Sequence, residues 1–173
     1  MDTVFNIISM GLLGVIFYQD LKFKAVTWII FPVVASVFLV YNLYCNPFEI
    51  VVLNSATNIG FIIIQLLLLT LYFSIKAKKI VNIAQQSLGW GDILFLLAVC
   101  LLLPPNTFFL YYIISLIIIV LKEIVTRMIF KKYSDKIPLA GLQALLLAVL
   151  IIVQQLIFGL NITKELFQFA TYG

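Results

Sequence analysis

Two aspartates lie at the ends of apolar segments, where a carboxylate is expensive unless it is neutralised, paired or functional. Asp92 ends the tetrapeptide Gly89-Trp90-Gly91-Asp92 and opens directly into an apolar run. Asp20 closes the first apolar run of the chain. Two neighbouring carboxylates do not both ionise easily, so they share a proton and can activate a water molecule. If the fold brings them together, the pair has the groups that aspartic-protease chemistry requires.

The residues that are missing or isolated exclude several other chemistries. The chain has no histidine, which removes Ser–His catalysis and histidine-based zinc proteolysis. Cys45 and Cys100 are isolated and form no C-x-x-C motif, so neither a zinc site nor a disulfide framework is indicated. The basic residues form no dense tract that would indicate nucleic acid, despite a net charge of +4. We expect no metal, no cofactor and no nucleic-acid partner.

The composition is that of a membrane protein. The chain has 173 residues, of which 64% are apolar and 10% charged, whereas soluble domains average about 45–50% apolar and about 25% charged. The length predicts one membrane-embedded domain, residues 1–173, in contact with lipid. The first apolar run lacks a basic leader and a small-residue cleavage pattern, so we expect it to be a retained helix.

Six apolar runs predict an all-α, polytopic transmembrane bundle of about six helices. Runs one, two, three and six reach the length of roughly 17–25 residues that a spanning helix needs, while the fourth is short before Pro104. The runs are Thr3–Gln19, Val26–Leu43, Ile50–Ile75, Ile93–Leu103, Phe108–Leu121 and Pro138–Phe158.

The basic residues predict the orientation of these helices. Ten of the eleven follow an odd-numbered run: Lys22, Lys24, Lys76, Lys78, Lys79, Lys122, Arg127, Lys131, Lys132 and Lys136. The positive-inside rule then makes these connections cytoplasmic and leaves both termini outside. Asp20 ends helix one and Asp92 begins helix four, so this topology predicts that both reach the cytoplasmic membrane face.

Each aspartate also has a simpler interpretation. Asp92 is a favoured residue for capping a helix, and Asp20 could be an interfacial residue beside lysines. Their common depth, with Gly89 and Gly91 allowing a close backbone approach, favours a functional pair. Because a helix N-terminus favours an anion, we expect Asp92 to be ionised more readily and Asp20 to hold the resting proton.

Other polar residues receive secondary roles. Possible substrate contacts are Lys22, Lys24, Glu123 and Asp135, although the two acids could instead offset nearby lysines. The amides of the third run are expected to form hydrogen bonds between helices rather than to hold a ligand; they are Asn54, Asn58 and Gln65.

Three segments in this order resemble the type IV prepilin peptidases, the membrane aspartic proteases that include the archaeal preflagellin peptidases. Asp20–Lys24 is similar to the family's aspartate followed by basic residues, and Gly89–Asp92 matches its Gly-x-Gly-Asp. Lys136–Gly141 resembles the Lys-Ile-Pro-Phe-Gly-Pro stretch that opens the last helix of the family.

The resemblance implies that Asp20 and Asp92 are the catalytic pair, supported by the Gly89-Trp90-Gly91 backbone. It implies cleavage of prepilin-like precursors after a short basic leader, at the cytoplasmic face of the inner membrane. The chain lacks the methyltransferase domain of many bacterial members, so we expect peptidase activity without N-methylation.

The chain departs from the family pattern at two places. Val26-Thr27-Trp28 replaces Ile-Pro-Asn, and Leu94 replaces the common lysine after the second aspartate. An altered substrate preference and an inactive relative are both open on this basis.

Two alternatives follow. One is a non-catalytic membrane scaffold or transport subunit. The other is a presenilin-like intramembrane protease. In those proteases the first aspartate usually follows tyrosine directly, whereas here Gln19 separates Tyr18 from Asp20.

Overall fold

The computed structural model describes residues 2–77, 89–130, 139–158 and 162–163. Within these residues the chain is all-helical, and the six helices confirm the predicted fold class. In chain order the helices are α1 (Asp2–Phe23), α2 (Ile30–Cys45), α3 (Phe48–Ala77), α4 (Trp90–Cys100), α5 (Pro105–Phe130) and α6 (Leu139–Phe158).

Three of the helices are long and apolar enough to cross a membrane by length and composition. They are the Thr3–Phe23 part of α1, the Phe48–Lys76 part of α3 and the Pro105–Thr126 part of α5. The shorter apolar helices are Ile30–Cys45, Trp90–Cys100 and Leu139–Gln154. These lengths are compatible with a membrane protein.

The second apolar run differs from its expected length because its first residues are not helical. Lys24 has a φ of 51°, a left-handed conformation that ends α1. The Gln19 side chain then accepts a hydrogen bond from the Thr27 backbone N–H (3.0 Å), which fixes the path between α1 and α2. α2 therefore starts only at Ile30 and has 16 residues.

The helices pack in pairs around a continuous apolar core. α1 packs along α6, and α2 packs against α4. Near the start of α1, the ring of Phe5 stacks on Tyr41 of α2 with 3.7 Å between centroids. The largest fully buried apolar side chains are Phe38, Phe95, Phe108, Leu13, Ile16, Leu102, Leu103 and Leu147. Because these residues come from α1, α2, α4, α5, α6 and the turn after α4, the pairs form one bundle.

Two asparagine side chains hold the end of α4 inside the bundle. A helix leaves its last carbonyls without intrahelical partners, and a buried carbonyl without a hydrogen bond is costly. Asn42 of α2 donates to the Leu101 carbonyl (2.7 Å). Asn58 of α3 donates to the carbonyls of Cys100 (3.3 Å) and Leu103 (2.8 Å). The short fourth helix can therefore end in an apolar interior.

The amides of α3 follow the sequence prediction where the structure describes their contacts. Asn58 bonds to the turn after α4, and the Gln65 amide donates to the Tyr112 hydroxyl of α5. The predicted interhelical role is confirmed for both residues. Pro105 occupies the first position of α5, where its missing N–H needs no helical partner.

We predict that Asn58→Ala lowers the free energy of unfolding by about 1–2 kcal/mol, because it leaves two buried carbonyls without their donor. The measurement is denaturant or thermal unfolding of the purified protein in detergent. Thr57→Ala is the matched control, since the exposed Thr57 hydroxyl donates only to the Leu53 carbonyl of its own helix. Equal losses in the two variants would contradict a capping role for Asn58.

Candidate active site

Asp20 lies in the last turn of α1 and is buried, with 7% of its surface exposed. Its Oδ2 accepts a hydrogen bond from the Gly141 backbone N–H of α6 at 2.6 Å. Its own carbonyl accepts from the Lys24 N–H (3.0 Å), where the chain turns out of α1. The close packing of α1 on α6 therefore directs the carboxylate to the first turn of α6.

Asp92 lies in the first turn of α4 and uses both carboxylate oxygens. Oδ2 accepts from the backbone N–H of Gly89, the residue that precedes the helix (3.1 Å). Oδ1 accepts from the Ala140 backbone N–H of α6 (2.8 Å). One oxygen thus stabilises the start of α4, as the simpler interpretation expects, while the other bonds to a different helix.

The structure brings Asp20 and Asp92 together through two consecutive backbone N–H groups of α6. Ala140 donates to Asp92 and Gly141 donates to Asp20. Consecutive backbone nitrogens are about 3 Å apart, so the two acceptor oxygens lie within roughly 9 Å of each other. The two aspartates therefore reach the same end of the bundle, as the loop charges predict.

The electrostatics of the pair are those of two acids held by neutral donors. In the part of the chain that the structure describes, neither carboxylate forms an ion pair with lysine or arginine. Asp20 is buried and Asp92 is half-buried, and two such carboxylates at this spacing repel each other when both are charged, so ionising one makes ionising the other more costly. Two N–H bonds to Asp92 and one to Asp20 stabilise the charged forms of these acids, while desolvation and the neighbouring Asp20 disfavour charge on Asp92. Its preferential ionisation stays a prediction.

Gly141 allows the close contact between α6 and α1. A Cβ at this position would lie 2.8 Å from Asp20 Cβ and 2.9 Å from its Oδ2, which is too close for any side chain. A Cβ at Gly89 would lie 3.2 Å from Asp92 Oδ2, a tighter contact than most. At Gly91 a Cβ would only touch the Phe31 ring, at 3.4 Å. Among the glycines that the structure describes, the one with the strictest requirement is thus outside the Gly-x-Gly-Asp motif.

From the sequence alone, Gly141 is only part of the segment Lys136–Gly141 that resembles the prepilin peptidases, and its backbone has no predicted role. The available signal is a glycine within the first turn of a helix, where it lowers helix propensity without a local benefit. Ala140 gives no signal at all, because its contribution is a main-chain N–H that every residue except proline has.

The other predicted site residues occupy different positions. The Lys22 amine bonds to the Tyr18 hydroxyl (2.8 Å) and lies over the Tyr18 and Phe23 rings, on the exposed side of α1. Glu123 is half-buried on α5. Trp90 is exposed at the start of α4. Asp135 lies outside the described residues, as do Lys136–Pro138 of the family-like segment.

Comparisons of the chain with protein-family models, with curated proteins and with solved structures each gave no match. Among the described residues, no group of three or more Cys, Asp or Glu side chains could hold a metal ion. The geometry of the aspartate pair is therefore the feature of the described residues that points to a function.

We predict that Gly141→Ala destabilises the protein by about 1–3 kcal/mol, because the added methyl overlaps Asp20 and forces α6 from α1. In a helix without such a contact, the same change stabilises by up to about 1 kcal/mol. Thermal unfolding in detergent measures the sign. Gly14→Ala in α1 is the matched control, since no atom lies within 4 Å of its added Cβ. A Gly141→Ala protein as stable as the control would contradict the contact.

Proposed function

We propose that this protein is a membrane aspartic endopeptidase that cleaves the basic leader of prepilin-like precursors. The observation that carries the proposal is the meeting of Asp20 and Asp92 on consecutive N–H groups of α6. Two acids from separate helices, 72 positions apart, need no such arrangement if each only stabilises the start or the end of its own helix. The segments that resemble the prepilin peptidases include both acids and Gly141.

In the proposed reaction, the ionised carboxylate takes a proton from water as the water oxygen bonds to the scissile carbonyl carbon. The protonated carboxylic acid donates its proton to the carbonyl oxygen, which gives a neutral tetrahedral diol. The diol collapses as the C–N bond breaks. One carboxyl group gives its proton to the leaving nitrogen, and the other accepts a proton from a diol hydroxyl. The pair finishes with one proton, as it began, and Asp92 is the favoured base.

The backbone donors of α6 suit this reaction because they hold the acids without supplying charge. A lysine at either carboxylate would favour ionisation of both acids and remove the shared proton. Main-chain N–H groups on a helix also move little, so they fix the spacing between the two acids before substrate binds. The site requires no cofactor for this chemistry.

The proposed location is the inner membrane, with several spans and both termini outside. The basic residues of α1, α3 and α5 support this orientation, because Lys22, Lys76 and Lys122 lie toward the C-terminal ends of their helices. The site would then face the cytoplasm, where a basic leader of a membrane-inserted precursor begins. Lys22, Lys24, Glu123 and Asp135 remain proposed substrate contacts, and pilus assembly or protein secretion is the proposed process.

A non-catalytic scaffold is the second candidate, and one observation favours it. Asp92 Oδ2 bonds to the Gly89 N–H that begins its own helix, which is an ordinary stabilising role for an acid near a helix start. A scaffold needs no shared proton. The two candidates therefore differ in whether purified protein cleaves a precursor at all.

We predict that Asp20→Asn and Asp92→Asn each lower the rate of precursor cleavage by about 10³-fold or more, because either change removes the proton exchange. The assay uses purified protein in proteoliposomes with a prepilin-like precursor, and circular dichroism verifies that each variant is folded. Glu49→Gln is the matched control, as the same chemical change on an exposed residue in the first turn of α3. Absence of cleavage by the unmodified protein would favour the scaffold.

We predict a bell-shaped dependence of kcat/KM on pH. At low pH both carboxyl groups are protonated and no base is available, and at high pH both are ionised and no acid is available. Cleavage rates measured across the acidic to neutral range give the profile, and chelators of divalent metals should leave it unchanged. A rate that rises steadily into the alkaline range is incompatible with a one-proton pair.

A further inference from the structure

We propose that this protein thins the bilayer around α1, α2 and α4, so that the lipid headgroup boundary reaches the Asp20–Asp92 pair. The partner in this interaction is lipid with short acyl chains. The inference does not depend on catalysis, because it follows from helix lengths and from the residues that mark the helix ends.

The length of α2 gives the first argument. Its 16 residues extend about 24 Å, whereas the hydrocarbon core of a typical bilayer is about 30 Å thick. Trp28 just before α2 is 68% exposed and Tyr44 in its last turn is 63% exposed. Exposed tryptophan and tyrosine favour the headgroup level on each side of a membrane. Both markers therefore indicate a short apolar thickness on this side of the bundle.

The cytoplasmic end of α1 gives a second argument. Tyr18 is 57% exposed, and its hydroxyl accepts a hydrogen bond from the Lys22 amine. A lysine amine and a tyrosine hydroxyl bonded together need polar surroundings, which places this turn of α1 at the headgroup level. Asp20 lies between these two residues along the helix. The polar boundary on α1 is thus at the depth of the acid.

The start of α4 marks the same depth from a third helix. Trp90 is 62% exposed and precedes Asp92 by two residues. At its other end, α4 stops after 11 residues, about 16 Å, against the Asn42 and Asn58 side chains. This helix is too short to span the apolar core. Because exposed tryptophan favours the headgroup level, Trp90 marks where that core ends near the site.

α3 shows that the short thickness is confined to one side. Its Phe48–Lys76 segment is 29 residues long, about 43 Å, and most of its surface is exposed. Its exposed apolar side chains include Leu68, Leu71 and Ile75 in the half that follows Gln65. A long helix adapts by tilting or by thickening the bilayer, and a short helix adapts by thinning it. The two sides of the bundle therefore impose different thicknesses.

The first test is the stability of the full chain in bilayers of different thickness. The protein is reconstituted in phosphatidylcholine vesicles with myristoleoyl, palmitoleoyl, oleoyl, eicosenoyl or erucoyl chains, and its Tm is measured by circular dichroism. We expect the highest Tm in the two shortest lipids and a steady fall toward erucoyl. A maximum at oleoyl or longer chains, or the same Tm throughout, would overturn the inference.

The second test locates the site relative to the lipid. The chain has two tryptophans, so Trp28→Phe leaves Trp90 as the only fluorophore, and Trp90→Phe leaves Trp28. Because local thinning keeps the headgroups at both tryptophans, we expect acrylamide in water to quench each of them in myristoleoyl and in erucoyl vesicles alike, with quenching constants that agree within about twofold. Quenching of Trp90 mainly by lipids brominated deep in the acyl chain, in every vesicle, would place the site inside the apolar core and overturn the inference.

Discussion

A helix begins with backbone N–H groups that have no partners within the helix, and in an apolar environment each must find an acceptor. In α6 two of these groups, on Ala140 and Gly141, bond to carboxylates from α4 and α1. The requirement is mutual, since a buried carboxylate also needs donors. Three helices are therefore joined at one point, and the two acids meet because the same helix start needs both. The spacing of the pair follows from the spacing of two consecutive peptide groups.

The same constraint applies at the opposite end of α4, where the groups that need partners are carbonyl acceptors instead of N–H donors. Its last carbonyls are buried, and the side chains of Asn42 and Asn58 supply donors from α2 and α3. α4 is thus fixed at both ends by hydrogen bonds to other helices, with buried Phe95 and Leu96 packed between. A helix held in this way keeps Asp92 in place without needing the length of a full membrane span.

The sequence predicts the helices and the meeting of the acids, because both follow from patterns of apolar and basic residues along the chain. Apolar runs determine helix number, and the alternation of basic loops places Asp20 and Asp92 at one end. The start of α2 is not predictable from hydropathy, because Lys24 and Gln19 end and redirect the chain through hydrogen bonds. The role of Gly141 is not predictable either, since its requirement arises from a contact with a residue 121 positions away.

The groups that hold the acids at α6 belong to the main chain, and this affects how the site tolerates sequence drift. Exchange of Ala140 for another residue keeps its N–H, and only proline deletes it. At Gly141 the constraint is on size, because the acid of α1 occupies the space where a methyl would be. Two distant relatives could therefore retain this arrangement while they agree at little more than two acids and one glycine. The geometry of these three positions would then persist where the rest of the sequence has diverged.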